Sequence, residues 1–280
     1  MGRYLILMVW GDKYGDADCN RLIRDAYANS SSIRGVIVLS DRLNRVIDSR
    51  ATLHPIVADF DTPAFKSGGL PVKISMFDID VLPEGAPCVY VDLDSAIIGD
   101  LGKLAALTRS GPIWTLGTFR ARFNLWARIK WRLTRGRSYG AGNSSAIAFR
   151  NRFPGNPTQK FRGHAPIFGN HNDAARQNDD RFIGWSCQDL IRPIPTDLAV
   201  RFRMEFLAPT LALNRVKARA RRKRRQHLVL VTFDGDLTKP ETICALRDNE
   251  IIVDHHGRRG HWNDTEISGL RARLYAGLQD

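Results

Sequence analysis

Residues 88–95 read CVYVDLDS, an apolar run that leads directly into two carboxylates, Asp92 and Asp94, with one residue between them. The β-branched and aromatic residues of this run predict a buried strand. In extended backbone, side chains two residues apart point the same way, so both carboxylates can face one cation just past the strand. Oxygen ligands suit Mg²⁺ or Mn²⁺, which keep open positions for substrate phosphates. The stretch therefore predicts a divalent-metal site at the carboxyl end of a strand.

Similar β-prone runs elsewhere predict an α/β protein. Strands are expected at residues 4–9, 35–39, 88–91, 113–116, 145–149 and 228–233. Between the first two, residues 18–29 have an Asp cap and apolar residues at helical spacing, so the chain opens β-α-β. This alternation predicts a mostly parallel sheet flanked by helices, with ligands at the carboxyl ends of its strands. Residues 151–180 show little periodicity and predict a long irregular excursion beside the site.

Positive charge is concentrated in two segments. The formal net charge is +13, and the windows 215–225 and 120–137 contain eight and seven basic residues without an acidic one. The rest of the chain is therefore slightly acidic. This distribution indicates a near-neutral body with two basic attachments that meet an anionic partner.

Apolar residues accompany the basic segment near 119–137, at steps of three or four: Phe119, Phe123, Trp126, Ile129 and Leu133. They would share one helix face. Two interpretations stay open, namely docking on an anionic membrane surface and an ordinary surface helix packed on the body. The segment near 215–225 lacks aromatic residues and is expected to be a solvated or lipid-facing loop, with a solvated helix face or a nucleic-acid patch as alternatives.

The cysteines are far apart and form no C-x-x-C pair, so neither a zinc site nor a disulfide framework is expected. The longest early apolar run, residues 4–10, is too short to span a bilayer and is expected to be an inner strand rather than a signal segment. We therefore expect a cytoplasmic protein, peripheral on the inner face of the membrane if its basic segments dock there.

The stretch 89–101, VYVDLDSAIIGDL, resembles the metal-binding segment of retaining glycosyltransferases with the GT-A fold, the group that contains glycogenin and bacterial lipopolysaccharide galactosyltransferases. Five further segments resemble motifs of this family, in the family's order: 8–14 (MVWGDKY), 71–77 (PVKISMF), 143–145 (NSS), 188–191 (QDLI) and 229–240 (VLVTFDGDLTKP). The resemblance implies one GT-A-like domain over residues 1–280, with the two basic segments as additions.

The resemblance also implies roles for individual residues. Contacts to the base and ribose would come from the first loop, through Gly11, Asp12 and Tyr14. Contacts to the nucleotide-sugar and its diphosphate would come from Lys73 and Lys239. The residues beside the donor sugar would be Asn143, Gln188 and Asp189. The metal ligands would be Asp92, Asp94 and a third residue near Gly235.

Three departures from the family pattern affect these roles. The third metal ligand, a His in the family, is Asp234 here, and Asp236 is a rival because the spacing to Lys239 is one residue longer. The first Asp of the family's D-Q-D segment is Cys187, so its sugar contact would be lost or supplied by Asp179 or Asp180. The pair at residues 255–256, both His, is expected to lie on the surface rather than in the metal shell.

The resemblance implies transfer of a hexose from a UDP-sugar to a hydroxyl of a glycan or lipid-linked glycan, with retention and with Mn²⁺ or Mg²⁺. Two rivals stay open. A haloacid dehalogenase-type phosphatase also has D-x-D after an apolar strand, but its motif has Thr or Val where this chain has Ala96. A nucleic-acid-binding protein without catalysis would use the basic segments.

Overall fold

The computed structural model describes residues 2–61, 70–117, 125–134, 142–168, 179–233, 240–247, 250–253, 257, 259–262 and 270. Its strands are β1 Arg3–Val9, β2 Ile33–Ser40, β3 Ala51–Pro55, β4 Pro87–Val91, β5 Ser95–Ile97, β6 Ile113–Leu116, β7 Asn143–Arg150, β8 Ile191–Pro193, β9 Ala199–Arg201, β10 Leu230–Thr232, β11 Ile251–Val253 and β12 Arg259–His261. Its α-helices are α1 Asp16–Asn29, α2 Leu70–Ile74, α3 Gly102–Ala106, α4 Leu125–Leu133, α5 Pro157–Phe168, α6 Asp179–Ser186, α7 Phe202–Phe206, α8 Leu211–Arg225 and α9 Pro240–Ala245. Short 3₁₀ helices occupy Ala58–Phe60, Ser75–Phe77 and Leu107–Arg109.

Seven strands form the main sheet, in the order β3-β2-β1-β4-β7-β6-β8. Strand β7 runs antiparallel to its neighbours β4 and β6, and the other adjacent pairs of this sheet are parallel. The predicted α/β class with a mostly parallel sheet is therefore confirmed, and each predicted strand is present. Strand β4 lies in the middle of the sheet, so Asp92 and Asp94 follow a central strand.

The main sheet is covered on both faces. In β1, Leu5, Leu7 and Val9 pack into the core cluster that contains α1, whereas Ile6 and Met8 pack into the cluster on the opposite face. A strand covered on both sides is apolar throughout instead of alternating with polar residues, which is why residues 4–9 resemble a continuous apolar run.

Helix α1 begins two residues before its predicted start. Gly15 is the N-cap, and the Asp18 carboxylate accepts a hydrogen bond from the Gly15 N–H at 2.9 Å. Asp18 thus supports the first turn from inside the helix instead of preceding it. Of the apolar residues expected on the helix, Leu22, Ile23 and Ala26 are buried together with Cys19, whereas Tyr27 is only half-buried.

A second sheet, in the order β5-β10-β9, adjoins the end of β4. Strand β10 pairs antiparallel with β5 and parallel with β9. Residues of these strands pack in a third core cluster, around the fully buried Trp262 and the aromatic rings of Phe202, Phe206 and Phe233. Because residues 92–94 connect β4 directly to β5, Asp92 and Asp94 lie where the two sheets meet.

The predicted irregular excursion over residues 151–180 is wrong for its described part, which contains α5. Pro157 occupies the first position of this helix, where its missing N–H is not needed, and the Asn156 side chain accepts from the Gln159 N–H at 3.0 Å. Phe161 anchors the helix against Phe60 and Phe182. The Asn-Pro helix start was therefore present in the sequence and missed.

The prediction of a loop at residues 215–225 is also wrong, because these residues belong to helix α8. The Thr210 side chain caps it by accepting from the Leu213 N–H at 3.3 Å. Its inner face docks on the buried Glu205, which accepts from Arg225 at 2.8 Å, from Arg221 at 3.0 Å and from Arg224. Glu205 thus neutralises part of the basic segment inside the protein. Because Glu205 lies outside residues 215–225, the charges within that range alone did not reveal this pairing.

Helix α4 lies within the basic amphipathic segment, while Phe119 and Phe123 lie outside the described residues. Trp126 is 75% exposed and Leu133 is 79% exposed, so these two side chains do not pack on the body. Among the helices that the structure describes, none combines the length and the apolar character needed to cross a bilayer.

Candidate functional site

Asp92 and Asp94 are held by hydrogen bonds from two different sheets. The Asp92 N–H donates to the Ser145 carbonyl oxygen of β7 at 2.9 Å. The Asp94 carbonyl oxygen accepts from the Phe233 N–H, just after β10, at 3.1 Å. The backbone around both carboxylates is therefore fixed before any ligand binds.

Two side chains of the described part of the protein contact the Asp92 carboxylate. The Lys73 ammonium lies 2.8 Å from Oδ1, and the Tyr90 hydroxyl donates to the same oxygen at 2.5 Å. Burial and the adjacent Asp92 charge raise the pKa of Tyr90 well above its ordinary value, so its hydroxyl keeps its proton. Tyr90 was missed in the sequence, although residues two apart on a strand share a side.

The Asp94 carboxylate has fewer hydrogen-bond partners than the Asp92 carboxylate among the described residues. Its Oδ2 accepts from the Tyr14 hydroxyl at 3.3 Å, whereas Oδ1 is buried without a hydrogen-bond partner among the described residues. Burial, followed by the charge of Asp92, raises the pKa of Asp94 to about 7. A buried acid with an unpaired oxygen is costly to ionise, and a cation at this point would remove that cost.

Lys73 lies at the centre of a buried cluster. Only 5% of the residue is exposed, and its ammonium also lies 3.1 Å from Asp179 Oδ2 and donates to Ser144 Oγ at 3.0 Å. Burial opposes its charge, but Asp92, together with Tyr90 and Asp179, outweighs burial and raises the pKa of Lys73 well above its ordinary value. The structure thus places Lys73 between Asp92 and Asp179, a contact that the sequence did not predict.

Helix α6 brings two more carboxylates into the cluster. Ser144 Oγ donates to Asp179 Oδ2 at 2.6 Å, and the Ser144 N–H donates to Asp180 Oδ1 at 2.5 Å. Burial tends to raise the pKa of Asp179, but Lys73 and Ser144 outweigh it and lower the pKa below its usual range. Burial and the charge of Asp179 raise the pKa of Asp180. The sequence named these residues only as substitutes for Cys187, because contacts 35 residues apart leave no local pattern.

Cys187 contacts the neighbouring Ser186, with 3.6 Å between its Sγ and the Ser186 Oγ. It is buried in the core cluster, and burial raises the pKa of its thiol to about 12. Gln188 is also buried, while Asp189 is exposed. Both follow the end of α6, and the eight residues of this helix span about 12 Å, so they lie a helix length from Asp179.

The loop after β1 contacts the end of β2. Gly11 has a positive φ of 60°, its N–H donates to Asp41 Oδ2 at 3.3 Å, and its carbonyl oxygen accepts from Arg45 at 3.1 Å. The exposed Asp12 carboxylate accepts from Arg42 at 2.5 Å. Asp41 and its basic neighbours were not predicted, although Asp41 directly follows a parallel strand and its position alone marks it as a candidate.

The remaining predicted residues have different placements. Asn143 begins β7, and its side chain accepts from the Ser145 N–H at 3.2 Å. Three predicted residues lie outside the described part of the chain: Asp234, Lys239 and the rival ligand Asp236. The His pair at 255–256 lies outside it as well.

The described residues fit a divalent cation in part. Asp92 and Asp94 offer carboxylate oxygens, which Mg²⁺ and Mn²⁺ prefer, and the unpaired Asp94 Oδ1 is a ready ligand. No group of three or more His, Cys, Asp or Glu side chains that could hold a metal occurs within the described ranges. The pair therefore suits a cation that takes further ligands from elsewhere.

The sequence matches no protein-family model and no curated protein sequence. Several solved glycosyltransferase structures have a similar fold. WbbM, a bifunctional glycosyltransferase, has a TM-score of 0.58 at 8% identity over 100% of this chain and 50% of its own. GlyE of Streptococcus pneumoniae TIGR4 has a TM-score of 0.53 at 13% identity over 99% of this chain and 61% of its own. The galactosyltransferase LgtC, solved with donor and acceptor sugar analogues, has a TM-score of 0.51 at 9% identity over 98% of this chain and 94% of its own.

The chain spans half the length of WbbM but nearly all of LgtC. At these identities the likeness establishes the fold, and the predicted GT-A-like architecture is confirmed. The chain thus has the fold of nucleotide-sugar glycosyltransferases of the GT-A type.

Proposed function

We propose that this protein is a metal-dependent glycosyltransferase that moves a hexose from a UDP-sugar to a hydroxyl acceptor with retention. The observation that supports the proposal is a pair of carboxylates at the end of the central strand of a glycosyltransferase fold, one of which has a buried, unpaired oxygen. Asp92 and Asp94 are the ligands of the metal, Mn²⁺ or Mg²⁺, and Asp234, which directly follows Phe233, is the third.

The metal supplies positive charge against the diphosphate, which stabilises the leaving group. The chain's own residues prepare the site for it. Tyr90 and Lys73 fix the Asp92 carboxylate, and Tyr14 fixes one oxygen of Asp94, leaving the other free. Fixed ligands lose little freedom on binding, so the geometry favours a cation over an empty pair of repelling carboxylates.

Lys73 contributes a second positive charge beside the diphosphate. Its raised pKa keeps it protonated at neutral pH, and its contacts with Asp179 and Ser144 hold it when Asp92 binds the metal. Lys239 adds a further cation to the diphosphate. The base and ribose contact Gly11, Asp12 and Tyr14, and Tyr14 links this loop to Asp94 directly.

The donor sugar lies beside Asn143, Gln188 and Asp189. The carboxylate contact that Cys187 cannot make comes from Asp179 or Asp180, which the Ser144 contacts place next to Lys73. LgtC was solved with donor and acceptor sugar analogues, which supports a sugar acceptor, and the acceptor proposed here is a glycan or lipid-linked glycan.

The acceptor side faces an anionic membrane surface through the two basic helices. Helix α8 has two exposed apolar residues, Leu213 at 51% and Val216 at 63%, and it also carries the exposed Arg215, Arg222 and Lys223. Helix α4 combines exposed basic residues with the exposed Trp126 and Leu133 in the same way. Exposed apolar and basic side chains on one helix suit the headgroup region of a peripheral membrane protein on the cytoplasmic side.

Thermal unfolding tests the donor site. The titration uses UDP, GDP and ADP, each with and without Mn²⁺, on the wild type, on Asp92→Asn/Asp94→Asn and on Asp197→Asn. Asp197 is an exposed carboxylate that serves as the matched control. A ligand at a hundred times its Kd adds about 2.7 kcal/mol to the free energy of unfolding, or several degrees in Tm.

The proposal expects UDP to stabilise the wild type and the control only when Mn²⁺ is present, and the double variant to lose that response. A UDP-sugar screen with glycan acceptors then identifies the sugar. A melt that no nucleotide shifts, or a response that the double variant keeps, contradicts the proposed donor site.

A further inference from the structure

Strand β5 is an edge strand whose free edge is covered by helix α1. On one side, β5 pairs with β10. On the other side, the carbonyl oxygens of alternate residues accept hydrogen bonds from side chains of α1 and of its C-cap Ser30. The acceptors are Leu93, Ser95, Ile97 and Gly99. A helix thus supplies the donors that a neighbouring strand would otherwise provide.

Arg21 makes the two bonds next to the carboxylates. Its Nη2 donates to the Leu93 carbonyl oxygen at 3.0 Å, and its Nη1 donates to the Ser95 carbonyl oxygen at 2.9 Å. These acceptors belong to the residues on either side of Asp94. Arg21 is only 6% exposed and also pairs with Asp25 at 3.5 Å, so its guanidinium is fixed on the protein side.

Asp94, in the turn just before β5, is therefore held from two sides. Arg21 fixes the carbonyl groups before and after it, and the Phe233 N–H fixes its own carbonyl group. Two peptide planes flank Asp94, and their orientation sets the direction in which its side chain leaves the backbone. Arg21 holds the first plane through the Leu93 carbonyl oxygen, and the Phe233 N–H holds the second through the Asp94 carbonyl oxygen. The planar guanidinium presents its donors in a rigid fork, so this one side chain binds both carbonyl groups in a fixed geometry.

We infer that Arg21 is a positioning residue for Asp94, which aims the carboxylate at the cation without touching the cation itself. The inference rests on the proposed metal-dependent function. Residues that orient metal ligands typically change metal affinity by about 10-fold or more when they are replaced. Arg21 acts here through the backbone on both sides of the ligand instead of through the ligand's side chain.

The test measures the Mn²⁺ dissociation constant of the full chain from the electron paramagnetic resonance signal of free Mn²⁺. Arg21→Met removes both donors, and Arg21→Lys keeps the charge but can serve only one carbonyl group. Asn29→Ala is the matched control, since it removes a bond from the same helix to the same edge, at the Ile97 carbonyl oxygen 3.2 Å away and farther from Asp94. Thermal unfolding of each variant reports the loss of stability separately.

The inference expects about 10-fold weaker Mn²⁺ binding for Arg21→Met, a smaller loss for Arg21→Lys, and less than about a 2-fold change for Asn29→Ala, even where all three melt at lower temperatures. If Arg21→Met does not fold, Arg21→Lys decides in the same way. Wild-type affinity in the Arg21 variants, or an equal loss in Asn29→Ala, overturns the inference and leaves the proposed function intact. Asp94→Asn is the reference. If it binds Mn²⁺ as the wild type does, the proposed metal site fails and the inference fails with it.

Discussion

Replacing Asp94 by Asn should stabilise the metal-free protein, although it removes a proposed metal ligand. Burial and the charge of Asp92 raise the pKa of Asp94 from its ordinary value of 3.8 to about 7. Between these values the folded protein keeps a proton that the unfolded chain releases, so the free energy of unfolding falls as the pH rises through this window. The full difference corresponds to about 4 kcal/mol at 1.36 kcal/mol for each pH unit, and we expect about 2 kcal/mol because Asp92 and Asp94 titrate together.

Urea unfolding in EDTA measures this effect. The advantage of Asp94→Asn over the wild type should grow from less than about 1 kcal/mol at pH 5 to about 2 kcal/mol at pH 8. Saturating Mn²⁺ should reverse the order, because it stabilises only the protein that keeps both carboxylates. Asp197→Asn, an exposed control, should change little under either condition. A variant that is less stable than the wild type at pH 8 in EDTA would refute the reasoning, as would an advantage that does not grow with pH.

Other predictions concern buried charge and the exposed helices. Lys73→Met leaves Asp92 and Asp179 without their shared cation and should lower the free energy of unfolding by about 2–3 kcal/mol. The exposed control Lys103→Met should cause no measurable loss of stability, and an equal loss of stability in both variants would contradict the buried cluster. Glu205→Gln removes the charge that three arginines share and should cost about 3 kcal/mol in urea unfolding, and a cost below about 1 kcal/mol would show that α8 does not depend on it. Trp126→Ser should weaken cosedimentation with phosphatidylglycerol vesicles by about 10-fold, whereas unchanged binding, or equal binding to phosphatidylcholine, would exclude this helix as the membrane contact.

The strands and the central carboxylates could be predicted because their signals are local. The apolar run before Asp92 and the D-x-D spacing both lie within eight residues. A strand that is buried on both faces has a continuously apolar sequence, which is easy to recognise. The same reasoning failed for residues 157–168, where the helix start at Asn156 and Pro157 was hidden in a segment of mixed composition.

The partners of the carboxylates could not be predicted, because they come from distant parts of the chain. Lys73 and Asp179 are separated by more than a hundred residues, yet their side chains meet at 3.1 Å. The contacts of Arg21 are to backbone carbonyl groups, which every residue has and no sequence pattern marks. The residue types indicated the chemistry of the site, whereas only the fold showed which side chains come together there.

The junction of the two sheets at residues 92–94 has a mechanical consequence. The Asp92 N–H is bonded to β7 of the large sheet and the Asp94 carbonyl oxygen to the residue after β10 of the small one, so the two carboxylates belong to different sheets. A cation bound by both carboxylates would therefore link the two sheets. Its arrival should slow amide hydrogen exchange along β10 as well as β7, far beyond the atoms that it touches.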